Sequence, residues 1–147
     1  MSSTDHDDEQ APAVLRAGGG TDAWEKAARL QQGAVPDHGE FYALAAEVVS
    51  TLAALEDLTR VLGPQVAGYV ASQRTAGRAV YDDSRTLDPA VRLAEAVAAL
   101  DGTRLALGAA YQSTNAFWSA IGHIGSTFDP ASVPAWASAP GVTGVRS

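Results

Sequence analysis

The densest group of potentially reactive side chains is acidic. Asp82, Asp83 and Asp88 lie close together in the sequence, beside Tyr81. Calcium-binding loops place acidic ligands at alternating positions around a glycine turn, and this segment lacks both features. A general acid/base pair needs a carboxyl group with a shifted pKa, and the sequence does not indicate the desolvation that would shift it. We therefore interpret the segment as a solvated connection in which Asp88 caps a helix.

Histidine, serine and glycine patterns show no catalytic arrangement. His6, His38 and His123 have no metal-ligand spacing, and no serine lies in a Gly-x-Ser-x-Gly turn. Gly18-Gly19-Gly20 lacks the Gly-Lys-Ser/Thr ending of a phosphate-binding loop. The chain has no cysteine, which excludes a thiolate nucleophile and the sulfur-containing zinc sites. The sequence thus predicts that the protein is not an enzyme and has no metal site, no cofactor and no small-molecule ligand.

Four arginines surround the acidic group: Arg74, Arg78, Arg85 and Arg92. They could contact a phosphate or an acidic partner, but the three aspartates lie among them. The whole chain has 17 acidic and 10 basic residues and a formal net charge of −7, whereas a sequence-independent nucleic-acid binder needs a clustered basic face. We predict a solvated face with internal ion pairs, and keep Arg74 and Arg78 as candidate partner contacts.

The N-terminal part of the chain predicts an arm followed by a short helix. Residues 1–20 begin acidic and end in three glycines, which is typical of a disordered segment. Asp22 and Glu25 form a capping box, and Gly33 supplies a stop signal. We therefore predict a short helix over residues 22–32.

A long helix is predicted over residues 38–75. Large apolar residues recur at seven-residue spacing, flanked by others three or four residues away. They are Phe41, Val48, Leu55, Leu62 and Tyr69, with Leu44, Leu52, Leu58 and Val66 beside them. Because proline lacks an amide hydrogen and clashes with the preceding turn, Gly63-Pro64 predicts a kink near residues 61–64.

A second long helix is predicted over residues 89–124, since Asp88-Pro89 is a strong start signal and Gly125 a stop signal. Its apolar stripe includes Leu93, Val97, Leu100, Leu107, Tyr111, Trp118 and Ile121. The two helices have nearly equal lengths, which predicts an all-α fold. We expect a long antiparallel two-helix hairpin plus one short N-terminal helix, within a helical domain of residues 21–125. Dimerisation would complete a four-helix bundle.

Aromatic residues are concentrated near the end of the last helix. Phe117 and Trp118 are adjacent and point about 100° apart on a helix, so they cannot face the same neighbour. One of them is expected to be covered by the short helix through Trp24 or, alternatively, by a partner chain. Residues 126–147 are rich in proline and predict a disordered tail, in which Phe128 and Trp136 are candidate recognition residues.

Two motifs of the last helix resemble those of small alanine-rich helical proteins of actinobacteria with no assigned activity. They are Asp-Pro-Ala-x-Arg-Leu-Ala, residues 88–94, and Phe-Trp-Ser-Ala-Ile-Gly-His-Ile, residues 117–124. The hairpin also resembles the Trp-x-Gly family of type VII secretion substrates, which are helix-turn-helix proteins that pair as four-helix dimers. The connection here has Tyr81-Asp82-Asp83 in place of Trp-x-Gly, so the resemblance is one of architecture over residues 38–124.

The leading functional hypothesis is a non-enzymatic helical interaction protein that forms a homodimer or pairs with a partner protein. No membrane helix is expected, because the uncharged stretch from Leu105 to Phe128 contains polar residues. The acidic N-terminus does not resemble a secretory signal, which predicts a cytoplasmic location. The alternatives are an exported effector or substrate of a specialised secretion system, leaving by a non-classical route, and a DNA-associated accessory protein.

Overall fold

A computed structural model describes residues 10–127 and residue 131. Within these residues the chain forms four helices and no strand, which confirms the predicted all-α class. The helices are α1 (Pro12–Gln32), α2 (His38–Ala67), α3 (Tyr69–Thr75) and α4 (Pro89–Gly122). The chain divides into two compact units between Asp37 and His38, so that α1 belongs to one unit and α2, α3 and α4 to the other.

Helix α1 begins ten residues earlier than the predicted start at residue 22, so residues 12–20 of the expected disordered arm are helical. Pro12 occupies the first helical turn, where its missing amide hydrogen costs nothing and its fixed φ angle favours the helix. Gly18-Gly19-Gly20 weakens the helix by about 1 kcal/mol per glycine relative to alanine, but glycine can adopt helical angles. The predicted end at residue 32 agrees with α1, and residues 1–9 lie outside the described part of the chain.

The first long helix is divided at Gly68, four residues after the predicted interruption by Pro64. Helix α2 contains Pro64 and ends at Ala67, and α3 continues from Tyr69. The Gly68 amide donates to the Pro64 carbonyl at 2.9 Å, and a Cβ added at Gly68 would lie 3.2 Å from that oxygen. Glycine therefore fits the tight turn that follows the proline.

Helix α3 ends in a Schellman motif. The Arg78 amide donates to the Gln73 carbonyl at 2.9 Å, and the Gly77 amide donates to the Arg74 carbonyl at 3.0 Å. Gly77 has a φ of 72°, in the left-handed region that glycine adopts without strain. This motif stops the helix and begins the connection to α4.

Helix α4 starts at Pro89, as predicted, and ends at Gly122, two residues before the predicted end. The Asp88 carboxylate accepts a hydrogen bond from the Ala90 amide at 2.9 Å, so Asp88 is the expected N-cap.

Replacing Asp88 with alanine is expected to destabilise the protein by about 1 kcal/mol, since one amide of the first turn loses its acceptor. The thermal midpoint would fall by about 3 °C. Differential scanning calorimetry measures the change, and Asp83→Ala is the matched control, because it removes a neighbouring exposed carboxylate without removing the cap. Equal effects of the two substitutions would contradict the capping role.

Helices α2 and α4 pack side by side as the predicted antiparallel hairpin. Leu44 and Phe117 line one groove between the two helices, whereas Ala67 and Ala94 line another near the opposite end. In both pairs the two residue numbers add up to 161, and the Tyr42 ring lies against Trp118 and Gly122, with sums of 160 and 164, so the register of the hairpin corresponds to a sum close to 161. Residues with this sum lie at the same level along its length.

The interior of the hairpin is small. Among the described residues the buried apolar side chains are Ala45, 3% exposed, and Val49, 8% exposed. Most of the large apolar residues of α2 and α4 are half-buried, and several of them remain exposed. The exposed ones on these two helices are Tyr42, Leu55, Leu58, Val61, Val91, Leu105 and Phe117. The hairpin therefore leaves much of its apolar surface uncovered.

Candidate functional site

The predicted aromatic contact residues lie at the open end of the hairpin, where α2 begins and α4 ends. Trp118 packs on Tyr42 with ring centroids 5.4 Å apart and ring planes tilted by 45°. A Cβ added at Gly122 would lie 3.2 Å from the Tyr42 ring, so glycine leaves the space that Tyr42 occupies. Trp118 is thus held within the hairpin by an aromatic pair.

The indole nitrogen of Trp118 is a buried donor. It has no hydrogen-bond partner within residues 10–127. A buried donor without an acceptor costs about 1–3 kcal/mol, so the Tyr42 and Trp118 pair stabilises this end through packing rather than hydrogen bonding.

Phe117 points elsewhere, as its position next to Trp118 predicts. It is 49% exposed and lines an open groove of about 370 Å³ between α2 and α4. The groove is lined by Leu44, Ala45, Val48, Ser113, Thr114 and Phe117. These residues carry no charge, so the groove suits an apolar side chain from another helix.

The remaining candidate contact residues are separated from this groove. Arg74 and Arg78 line an open groove of about 340 Å³ together with Asp88, near the connection between α3 and α4. The carboxylate offsets part of the positive charge there, which argues against a phosphate site. Phe128 and Trp136 lie outside the described residues.

The connection contains a buried carboxylate that the sequence analysis missed. The Asp82 side chain is only 5% exposed, although the acidic group was expected to be solvated. Its Oδ1 accepts hydrogen bonds from the Ser84 amide at 3.1 Å and from the Ser84 hydroxyl, and its Oδ2 accepts from Arg92 Nε at 3.1 Å. Asp82 therefore ties the connection to the first turns of α4.

These partners favour the ionised form of Asp82. The Ser84 hydroxyl and the Arg92 guanidinium lower the pKa of Asp82 below its ordinary value of 3.8, while burial opposes part of that decrease. The carboxylate is therefore charged at neutral pH, and its two oxygens are occupied by donors. A general base or acid role does not fit this arrangement, because the pKa lies far below neutrality.

Stability is expected to depend on Asp82 at acidic pH. Because its pKa is lower in the folded than in the unfolded chain, the stabilisation is complete above about pH 5 and is lost as the pH falls through the lowered value. Asp82→Asn is expected to reduce the decrease in urea midpoint between about pH 5 and pH 2. Asp83→Asn is the matched control, and an equal reduction there would contradict the assignment.

The arginines near the connection have different surroundings. Arg92 also donates to Glu95 at 3.3 Å, and the Arg85 guanidinium lies 4.2 Å from the centre of the Tyr81 ring. The predicted internal ion pairs are thus present for Arg92. Arg85 has a φ of 56° and its amide donates to the Asp82 carbonyl at 2.9 Å, which fixes a tight turn.

The described part of the chain has neither a cluster of metal ligands nor a membrane-spanning helix. No group of three or more His, Cys, Asp or Glu side chains could hold a metal ion among the residues that the structure describes. Of the histidines, His38 begins α2 and His123 caps α4, while His6 lies outside that part. None of the described helices combines the length and apolar character needed to cross a bilayer.

No family model, curated protein or solved structure matches the chain. The candidate site is accordingly defined by geometry and chemistry. Its strongest feature is the uncovered apolar surface of α2 and α4, which includes Phe117 and extends along the hairpin.

Proposed function

We propose that this protein is a non-enzymatic helical interaction protein, whose hairpin completes a helical bundle with another chain. The other chain is a second copy or a partner protein. The observation that supports the proposal is that the hairpin is long but buries few apolar side chains. Leu55 and Leu58, in the middle of α2, are each 43% exposed, while the buried apolar residues of the described chain are Ala45 and Val49.

Two long helices have limited means of covering their own apolar residues. Each helix of a bundle contacts two neighbours, so its apolar arc is wider than one partner can bury. A fully buried leucine contributes about 1.5–3 kcal/mol relative to an exposed one, and α2 leaves much of that contribution unused. Association with further helices supplies the missing contacts.

The chemistry of the charged residues supports a binding role rather than catalysis. The Asp82 carboxylate accepts hydrogen bonds from Ser84 and Arg92. The Asp88 carboxylate accepts one from an amide at the start of α4. Glu56 and Asp57 both pair with Arg60, at 2.7 and 2.9 Å. These carboxylates have structural partners, and the open grooves between α2 and α4 are lined mainly by apolar residues.

The mass of the native particle tests the proposal. The full chain is purified and its mass is measured by light scattering, and the untagged protein in an extract of its own cells is sized in parallel. A particle larger than one chain in either sample supports a bundle completed by association. A folded monomer in both samples would refute it.

A cytoplasmic location is part of the same proposal. The alternative, an exported protein that leaves by a non-classical route, predicts untagged protein in the culture medium without markers of cell lysis. Immunodetection in extract and medium separates the two locations, and the bundle proposal is compatible with either.

A further inference from the structure

The apolar arc of α2 consists of two seams, and α4 covers one of them. Ala45 and Val49 belong to the covered seam. The second seam follows the alternating three- and four-residue spacing of a helix that packs against another helix. Its members are Leu44, Val48, Thr51, Leu55, Leu58 and Leu62. At 100° per residue they occupy an arc about 80° wide, beside the covered seam.

Helix α4 has a matching seam of mostly small residues with the same spacing. It consists of Ala99, Thr103, Ala106, Ala110, Ser113 and Phe117. Leu44 and Val48 line the same open groove as Ser113 and Phe117, so both seams lie on one face of the hairpin. We call this face, formed by the two sets of six residues, the seam face.

The two seams match level by level. In the register of the hairpin, in which residue numbers add up to 161, each residue of the α2 seam has a residue of the α4 seam beside it. Leu55 lies at the level of Ala106, and Leu62 at the level of Ala99. A row of large side chains therefore runs beside a row of small ones over the same length.

Such a face is complementary to itself. A second hairpin can be turned by 180° about an axis parallel to the helices and placed on the first. The α4 seam of each copy then lies over the α2 seam of the other. In four of the six layers a large side chain then lies opposite a smaller one, which is how helices pack without voids. The exceptions are the end layer, where Leu44 lies opposite Phe117, and the Thr51 layer, where both side chains are small. Leu55 of one copy packs at the level of Ala106 of the other.

The distribution of charge permits this contact despite the net charge of −7. None of the charged residues in the middle of the hairpin belongs to either seam. They are Glu47, Glu56, Asp57, Arg60, Asp101 and Arg104. The Thr103 hydroxyl donates to the Ala99 carbonyl at 3.0 Å, so this polar group of the seam face has a partner in its own helix.

The area of the seam face is adequate for a dimer. Between Leu44 and Leu62 it is about 27 Å long, and two helices make it about 20 Å wide. Contact with a second copy buries about 1,100 Å² in total, which exceeds the minimum of about 1,000 Å² expected of a biological interface. The neutral seam face is thus large enough for a second copy without any other partner.

We infer that a second copy of this chain occupies the seam face, in a four-helix dimer whose two-fold axis runs along the hairpin. Each α2 packs on α4 of the other copy, and the two connections lie at the same end. The inference rests on the proposed function and specifies its partner and geometry.

Cysteine cross-linking tests the geometry, because the natural chain has no cysteine. A full chain with Leu62→Cys is mixed with a tagged full chain carrying Ala99→Cys, refolded together and treated with a short bismaleimide. In the matched control the tagged chain carries Ser113→Cys instead of Ala99→Cys. Residue 113 is 14 residues, or about 21 Å, from residue 99 along α4. We expect the 62–99 product to exceed the 62–113 product at least tenfold.

The outcomes separate the inference from the proposed function. The unmodified chain, of 15.1 kDa, is expected to have twice that mass in solution. A dimer that cross-links mainly through 62 and 113 would overturn the inferred geometry, because it places the connection of one copy at the open end of the other. If the purified chain is a monomer but belongs to a larger particle in cell extract, the partner is another protein. That outcome would overturn the inference that a second copy occupies the seam face, but it would not contradict the proposed function.

Discussion

Replacing Leu55 and Leu58 with glutamate is expected to convert the dimer into a helical monomer. Both side chains are 43% exposed in the single chain, so the hairpin can carry glutamate at these positions. In the dimer the same carboxylates would be buried without partners, at a cost of several kcal/mol. The dissociation constant is expected to rise at least about 100-fold, since 1.4 kcal/mol corresponds to a factor of ten.

Sedimentation equilibrium measures the change, and circular dichroism shows whether the chain stays helical. The matched control is Ala54→Glu with Val61→Glu, which adds the same charge at exposed positions of α2 outside both seams. Val61 is more exposed than either leucine, so exposure alone does not distinguish the two variants. Dimerisation that survives the leucine substitutions would show that the seam face is not the interface.

Replacing Ala45 with aspartate is expected to destabilise the hairpin itself. Ala45 is 3% exposed and lies between α2 and α4, where a carboxylate has no water and no partner. The expected loss is about 3 kcal/mol. That loss corresponds to a decrease in thermal midpoint of about 10 °C.

The control for this substitution lies two residues away on the exposed side of the same helix. Ala43→Asp adds the same charge in water and is expected to change the free energy of unfolding by less than about 0.5 kcal/mol. Thermal unfolding of both variants is followed by circular dichroism at equal chain concentration. Similar midpoints for the two variants would mean that α2 and α4 do not pack through Ala45.

The sequence predicts those parts of the fold whose signals are local. Asp88 and Pro89 identify the start of α4, because capping requires nothing beyond neighbouring residues. The predicted start of α1 was wrong because the local signal was misleading. Three consecutive glycines suggest a break in a helix, but here they lie within α1. Pro64 was correctly associated with an interruption, but its location at Gly68 depends on the turn that follows.

The candidate site could be predicted only in part, because it depends on which neighbour covers which residue. The spacing of α2 shows one broad apolar stripe, which includes Val48, Leu55 and Leu62. It does not show that α4 covers the half around Ala45 and Val49 and leaves the other half open. That division requires the register of the hairpin, which is a property of two helices together.

Asp82 illustrates the same limit at the connection. Ser84, two residues later, is a local signal for a side-chain turn around an aspartate. Arg92 lies a full ten residues away, and its pairing with Asp82 depends on how α4 departs from the connection. A burial of this kind follows from tertiary structure and not from spacing.

The constant register also determines how such a chain can change its length. Deleting residues 52–58 together with residues 103–109 removes two turns, about 10 Å, from each helix and leaves every remaining pair at its original level. Deleting either segment alone shifts all residues beyond it by about 10 Å along the hairpin, relative to the residues of the other helix that they contact. Natural variants of this hairpin are therefore expected to gain or lose seven residues in both helices at once.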